Sequence, residues 1–172
     1  MPNVLIAGGG SGGHVAPAIA VAEALHALGC TPTLAHSGRD VDLEMAEQTP
    51  FKHVSLPAMP FSLKPKMLYA FYNGFKQTET QVKQLIKSEN IQCILSTGGF
   101  VAAPALRAGK KSNCPTLMLN LDNPPGKANR LAVRWSDQNF STIQCPFKDY
   151  TLIPPPLRDC VLATATKEKC YR

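Results

Sequence analysis

No apolar run in this 172-residue sequence approaches the roughly 18 residues needed to cross a bilayer. No basic segment precedes the first apolar stretch, Val4 to Ala7, as a secretory leader would require. A cytosolic chain without a transmembrane helix is therefore expected. Paired cysteines are missing as well. The six, at positions 30, 93, 114, 145, 160 and 170, make no C-x-x-C and have no histidine at zinc spacing. That excludes a readable metal framework or thiol redox motif, and reduced structural thiols are expected. Charged residues are sparse at 17% against 44% hydrophobic. Leu, Ile, Val and Phe together number 41, above the ~20% of a chain below which disorder is expected. At roughly 150 residues per domain, the length fits one domain with a single large core.

The net charge of +6 is unevenly spread. One basic and five acidic residues lie in 1–51, twelve and three in 52–134, and five and four thereafter. A basic middle implies an anionic partner, whether phosphate, nucleic acid or an acidic membrane surface. The residues that carry it form no helix-turn-helix and no aromatic RNA motif, so nucleic acid ranks last.

Apolar β-type runs at Val4–Ala7, Thr33–Ala35, His53–Leu56, Cys93–Leu95 and Thr116–Leu119 alternate with helix-like stretches. The latter are Ala16–Leu28, Asp40–Gln48, Lys66–Ser88, Val101–Lys111 and Lys127–Trp135, and Leu152–Ile153 suggests a last strand. The rhythm predicts an α/β fold, a Rossmann-like open parallel sheet with helices on both faces. Pro154-Pro155-Pro156 acts as a stiff spacer, and the polar tail Asp159–Arg172 reads as a linker.

Gly8-Gly9-Gly10-Ser11-Gly12-Gly13-His14 follows the first strand and opens the first helix. Glycines allow a sharp turn and close approach of a ligand, and a helix N-terminus suits phosphate. Walker A chemistry is excluded because His14 and Val15 stand where Lys and Ser or Thr are required. A dinucleotide site needs an acid near the end of the second strand, where this sequence has His36, Ser37, Gly38 and Arg39. Arg39 leaves an NADP 2′-phosphate as an alternative. A turn used only for tight packing is the other. A second glycine turn is expected at Ser96-Thr97-Gly98-Gly99-Phe100, so that two helix N-termini share one crevice. Phe100 there suits an apolar or sugar group, or plain core.

The runs "AGGGSGGHVAPAIAVAEAL", "LSTGGFVAAPAL" and "NPPGKANRLAVRWSD" resemble the N-terminal half of the MurG family of bacterial glycosyltransferases (family 28, GT-B type), from about Val4 to Arg158. The resemblance implies a Rossmann-like acceptor- and membrane-binding domain over residues 1–158. Residues 159–172 would then be the interdomain linker and the start of a missing C-terminal donor-binding domain. It implies an inverting transfer from UDP-N-acetylglucosamine to lipid I, the undecaprenyl-pyrophosphoryl muramyl-pentapeptide, at the cytoplasmic face of the bacterial plasma membrane. No cofactor or metal is implied, and this half alone is expected to be inactive.

Carried over, Ser11, Gly12 and Gly13 approach the nucleotide sugar, Ser11 replacing the family's Thr. His14 matches the family's histidine, a candidate base in view of histidine's titration range, or else only a filler of the helix start. Gly98, Gly99 and Phe100 join the substrate set. Asn123 takes the last position of the family's His-Glu-Gln-Asn segment and Arg158 the arginine of its Gly-Asn-Pro-Val-Arg segment. The other positions of the first segment read Asn120-Leu121-Asp122, and the second reads Pro154-Pro155-Pro156-Leu157-Arg158. The acceptor and the interdomain closure are left open by these departures.

Phe61 and Leu63 beside Lys64 and Lys66 suit an anionic membrane surface, each Lys contributing about 1 kcal/mol. Phe71 and Phe75, at helical spacing, favour core. Lys110 and Lys111 are expected to be a solvated helix end. The rival reading is a non-catalytic recruitment subunit that pairs with a separate donor-binding chain.

Overall fold

The computed structural model describes residues 1–10, 12–144 and 150–158. The expectations placed on Ser11 and on the linker 159–172 lie outside the described residues. Among the described residues seven strands form one sheet: β1 (Asn3–Gly9), β2 (Thr31–Ser37), β3 (Lys52–Leu56), β4 (Ile91–Gly99), β5 (Thr116–Asn120), β6 (Gln138–Ser141) and β7 (Thr151–Leu152). Their order is β3-β2-β1-β4-β5-β6-β7, with every pairing parallel. The order reverses between β1 and β4, which makes their carboxyl ends the switch point where an open α/β sheet leaves a crevice.

Side chains of β1 alternate between faces, as a strand requires. Val4 and Ile6 pack with Val15, Ile19 and Ala22 of α1 (Gly12–Ala27) and Ala46 of α2 (Asp40–Glu47). Leu5 and Ala7 pack on the other face with Val82 of α3 (Pro65–Ser88), Leu106 of α4 (Ala102–Lys111) and Ala132 of α5 (Lys127–Ala132). Because both faces are covered, the central strands read as unbroken apolar runs. A single 3-10 turn, Val133–Trp135, follows α5.

Two elements differ from expectation. The first helix begins at Gly12, four residues early, so that His14 lies in its first turn and Pro17 inside it. The strand β6 is formed by Gln138-Asn139-Phe140-Ser141, which carries no apolar run. Its entry is fixed by Asp137, whose Oδ2 accepts from the backbone N–H and the hydroxyl of Thr116 at 2.9 and 2.8 Å. The hydrogen bond from Lys110, with those from Thr116, holds the Asp137 carboxyl below its ordinary range.

The helix layer is tied by charge. Glu79 of α3 is buried and receives Arg107 at 2.9 Å and Lys111 at 2.7 Å from α4, with Lys83 at 3.0 Å. Lys110 and Lys111 form the exposed helix end expected of them, and there they also pair with Asp137 and Glu79. The Arg107 guanidinium also lies over the Phe75 and Trp135 rings at 5.6 and 5.7 Å. Cys30, Cys93 and Cys114 are free thiols, and burial pushes Cys93 up and Cys114 to about 11, which suits inert, reduced groups.

Burial works to raise the Glu79 carboxyl, but the hydrogen bonds from Lys111 and Lys83 and the charge of Arg107 outweigh it, and the net shift is downward. A depressed folded-state value contributes stability above the ordinary 4.5 that is lost as pH falls through the lowered one. Glu79→Gln should therefore cost about 2 kcal/mol at neutral pH, a low figure for a buried pair because the cations stay partly wet. Urea unfolding should show the gap from the parent protein narrowing in acid.

Candidate functional site

The crevice is built where β1 and β4 end. Gly8 pairs with Gly98 and Gly9 with Gly99, so the turn expected at 96–100 is instead the continuation of β4 through Gly99. Ser96 donates to the Ala7 carbonyl at 2.8 Å and accepts from the Gly98 N–H at 3.2 Å, which carries the pairing into the glycines. Gly98 and Gly99 have φ of +111° and +81°, a region that favours glycine. A Cβ on Gly99 would overlap the Gly9 carbonyl oxygen, and one on Gly8 would overlap the Thr97 hydroxyl. These glycines bring two strand ends closer than side chains permit.

Past β1 the chain turns at Gly10, with φ +100°. Its N–H donates to Asp42 Oδ2 at 2.6 Å, and its carbonyl accepts from Arg39 Nη1 at 2.7 Å. Asp42, fully buried at the start of α2, also accepts from the Ser37 hydroxyl, while its Oδ1 has no partner among the described residues. Arg39 lies over the Phe100 ring at 5.3 Å, and that ring fills the space a Gly10 side chain would need. The Gly10 N–H is taken by Asp42, so free donors for an anion begin with the first turn of α1, as expected of a helix N-terminus. Arg39 is exposed but engaged by the Gly10 carbonyl and the Phe100 ring, in place of the 2′-phosphate contact that the NADP reading asks of it.

His14 and Thr97 clasp one another. The Thr97 hydroxyl donates to the His14 carbonyl at 2.7 Å, and His14 Nδ1 lies 3.1 Å from the Thr97 carbonyl. A carbonyl can only accept, so Nδ1 carries a proton, and in the neutral ring the lone pair is on Nε2. That nitrogen has no hydrogen-bond partner among the described residues. A cavity of about 330 Å³ is lined by Gly9, Gly10, His14, Gly99 and Lys127. Beside it an apolar pocket of about 270 Å³ is lined by Phe61, Phe71, Phe75 and Leu131. A groove of about 670 Å³ runs past Arg39, Pro57 and Met59 at the ends of β2 and β3. Phe100 borders all three.

Of the residues expected at the site, His14, Gly99 and Phe100 meet in the crevice, with Gly98 packed behind His14. Gly12 and Gly13 open α1. Asn123 is exposed on the loop after β5, and Arg158 lies 3.5 Å from Glu23 on α1, so neither lines the crevice. Phe61 and Leu63 are 54% and 82% exposed, with Lys64 and Lys66 exposed beside them. Phe71 and Phe75 are half-buried, and Phe75 packs on the core as expected. Among the described residues no helix is long and apolar enough to cross a membrane.

Asn120 and Asp122, which stand where the family's segment has His and Gln, form an internal network. Asn129 donates to Asn120 and Asp122, both at 3.1 Å, and Asn120 donates to the Asp122 carbonyl at 2.8 Å. Asp42, Lys127 and Asn129 were not foreseen. The apolar spacing of α2 and α5 gave no sign of Asp42 or Asn129, although Lys127 belongs to one of the family motifs.

The profile of the glycosyltransferase family 28 N-terminal domain matches residues 4–141. Two relatives are each named UDP-N-acetylglucosamine–N-acetylmuramyl-(pentapeptide) pyrophosphoryl-undecaprenol N-acetylglucosamine transferase. That of Leifsonia xyli is 30% identical over 90% of this chain and 45% of its own, and that of Corynebacterium glutamicum 29% over 96% and 47%. The chain thus spans less than half the length of these relatives. Among solved structures, Acinetobacter baumannii MurG superposes with a TM-score of 0.78 at 18% identity, over 90% of this chain and 46% of that one. The UDP-GlcNAc 2-epimerase of Neisseria meningitidis does so with 0.63 at 13%, over 90% and 47%. Both likenesses are of fold.

Three substitutions test the strand-end geometry by thermal or urea unfolding. Gly99→Ala should lose at least ~2 kcal/mol through overlap and positive φ, while Gly12→Ala, whose nearest neighbour would be Met45 Sδ at 3.5 Å, should stay within about 0.5 kcal/mol. Asp42→Ala should cost about 2 kcal/mol, the worth of hydrogen bonds to a charged group.

Proposed function

The chain belongs to glycosyltransferase family 28, and from that premise we propose that it is the acceptor-binding half of an inverting N-acetylglucosaminyltransferase of the GT-B type. The donor is UDP-N-acetylglucosamine, and the acceptor is a polyprenyl-pyrophosphate-linked muramyl-pentapeptide of the lipid I kind, in peptidoglycan synthesis. The observation that carries the reading is the likeness to the two named transferases along 90% and 96% of this chain. Residues 1–158 are the acceptor- and membrane-binding domain, and a second, donor-binding domain closes on the crevice.

In this reading a sugar hydroxyl of the acceptor attacks the anomeric carbon in line, inverting it and expelling UDP. His14 Nε2 takes the hydroxyl proton, with Nδ1 held on Thr97 so that the lone pair stays in the crevice. The first-turn N–H groups of α1 at Gly12 and Gly13 stabilise the diphosphate charge of the leaving UDP. Gly99 and Phe100 wall the acceptor sugar, and Asn123 and Arg158 meet the donor only on closure. Phe61, Leu63, Lys64 and Lys66 rest on the anionic cytoplasmic face of the plasma membrane as a peripheral contact.

The test is transfer of labelled N-acetylglucosamine from UDP onto a lipid I analogue by the protein joined to its donor-binding half. Transfer is expected, and His14→Ala should lower kcat at least ~100-fold. A folded two-domain protein that transfers nothing overturns the assignment. Unchanged kcat in the variant overturns the base.

A further inference from the structure

We propose that the pocket between Phe61, Phe71, Phe75 and Phe100 seats the first two isoprene units of the acceptor's polyprenyl chain, with Lys127 at its rim meeting the adjoining phosphate. This rests on the reading of the chain as an acceptor domain.

The pocket is aromatic. Phe61 stands edge-on to Phe71 at 5.4 Å, and Phe71 lies 6.0 Å from Phe75. The rings do not close on one another because Ala103 and Ala128, at the remaining sides, are too small to fill the space. At about 30 Å³ for a group the size of a water molecule, the 270 Å³ of the pocket holds on the order of nine carbon groups, roughly two five-carbon units.

The pocket is also continuous with the crevice. Phe61, Phe100, Lys127 and Ala128 line both, so a ligand lying across the boundary places an apolar end among the rings and a polar end beside His14. Lys127 sits at that boundary with no ion-pair partner among the described residues. As the first residue of α5 it gains nothing from the helix dipole, and a phosphate supplies the counter-charge it lacks. Phe61, half exposed, forms the lip, and the rest of the chain leaves past Leu63 on the same loop.

The single tryptophan reports on occupancy, since Trp135 stacks edge-on to Phe75 at 6.2 Å and does not line the pocket. Its fluorescence is followed as the 172-residue chain is titrated with inorganic pyrophosphate and with dimethylallyl, geranyl and farnesyl diphosphates. Each buried CH₂ is worth about fourfold in affinity, so geranyl should bind at least ~10-fold tighter than dimethylallyl, and farnesyl within about threefold of geranyl. Ala128→Phe should erase the step from dimethylallyl to geranyl. Phe61→Ala, on an exposed loop that tolerates truncation, should shrink it and decides the matter if the first variant does not fold. Lys127→Ala should weaken every diphosphate about fivefold or more and leave the step in place. Affinity that climbs steadily through farnesyl, as adsorption to an apolar surface would, overturns the pocket, as does a step that survives both pocket variants. A step of the expected form with no sugar transfer by the two-domain protein leaves the pocket standing and overturns the transferase reading alone.

Discussion

The close approach of β1 and β4 is the constraint on which the rest of the site depends. Parallel strands hold their spacing through backbone hydrogen bonds, and near the carboxyl ends side chains normally keep the outgoing loops and helices apart. Here the facing pairs Gly8–Gly98 and Gly9–Gly99 remove every Cβ from that contact. The first turn of α1 can then come down onto β4, and His14 and Thr97 reach each other in both directions. Glycine in a strand weakens it by roughly 0.5–1 kcal/mol. The reciprocal bonds and those of Ser96 offset part of that loss.

Most of the architecture was legible because period and burial were strong. The five main strands and five helices stand where alternation and turn residues put them, and the family motifs located His14, Gly99 and Phe100 in one crevice. The illegible parts depended on partners distant in sequence. Asp42 reads as a first-turn acid of α2, and only the fold shows it buried against Gly10, 32 residues away. β6 has no apolar signature because Asp137 and Thr116 set its register. The helix start at Gly12 was missed because glycine and proline both argue against a helix interior, and tertiary contact at His14 overrides them.

The charge count needs the fold beside it. The basic middle of the chain implies an anionic partner, and within it Lys83, Arg107 and Lys111 converge on Glu79, and Lys110 on Asp137. Much of the positive charge holds helices together. Among the described residues Lys127 lines the crevice without an ion-pair partner, and Lys64 and Lys66 stand exposed where the loop of Phe61 enters α3. Aromatic residues follow the same economy, with Phe61, Phe71, Phe75 and Trp135 joined in one chain of ring contacts from the exposed loop to the core.

The strand order also dictates when the site can exist. A purely parallel sheet offers no local hairpin, so every pairing waits on a crossover. β1, β2 and β3 can assemble once residues 3–56 have left a ribosome, but β1 keeps an open inner edge until β4 begins at Ile91. During synthesis at roughly 5–20 residues per second, that edge stands unpaired for seconds while the 24-residue α3 is made. The glycine-lined end of β1 thus waits for Gly98 and Gly99, and the crevice cannot close before the last residue of β4 has been added.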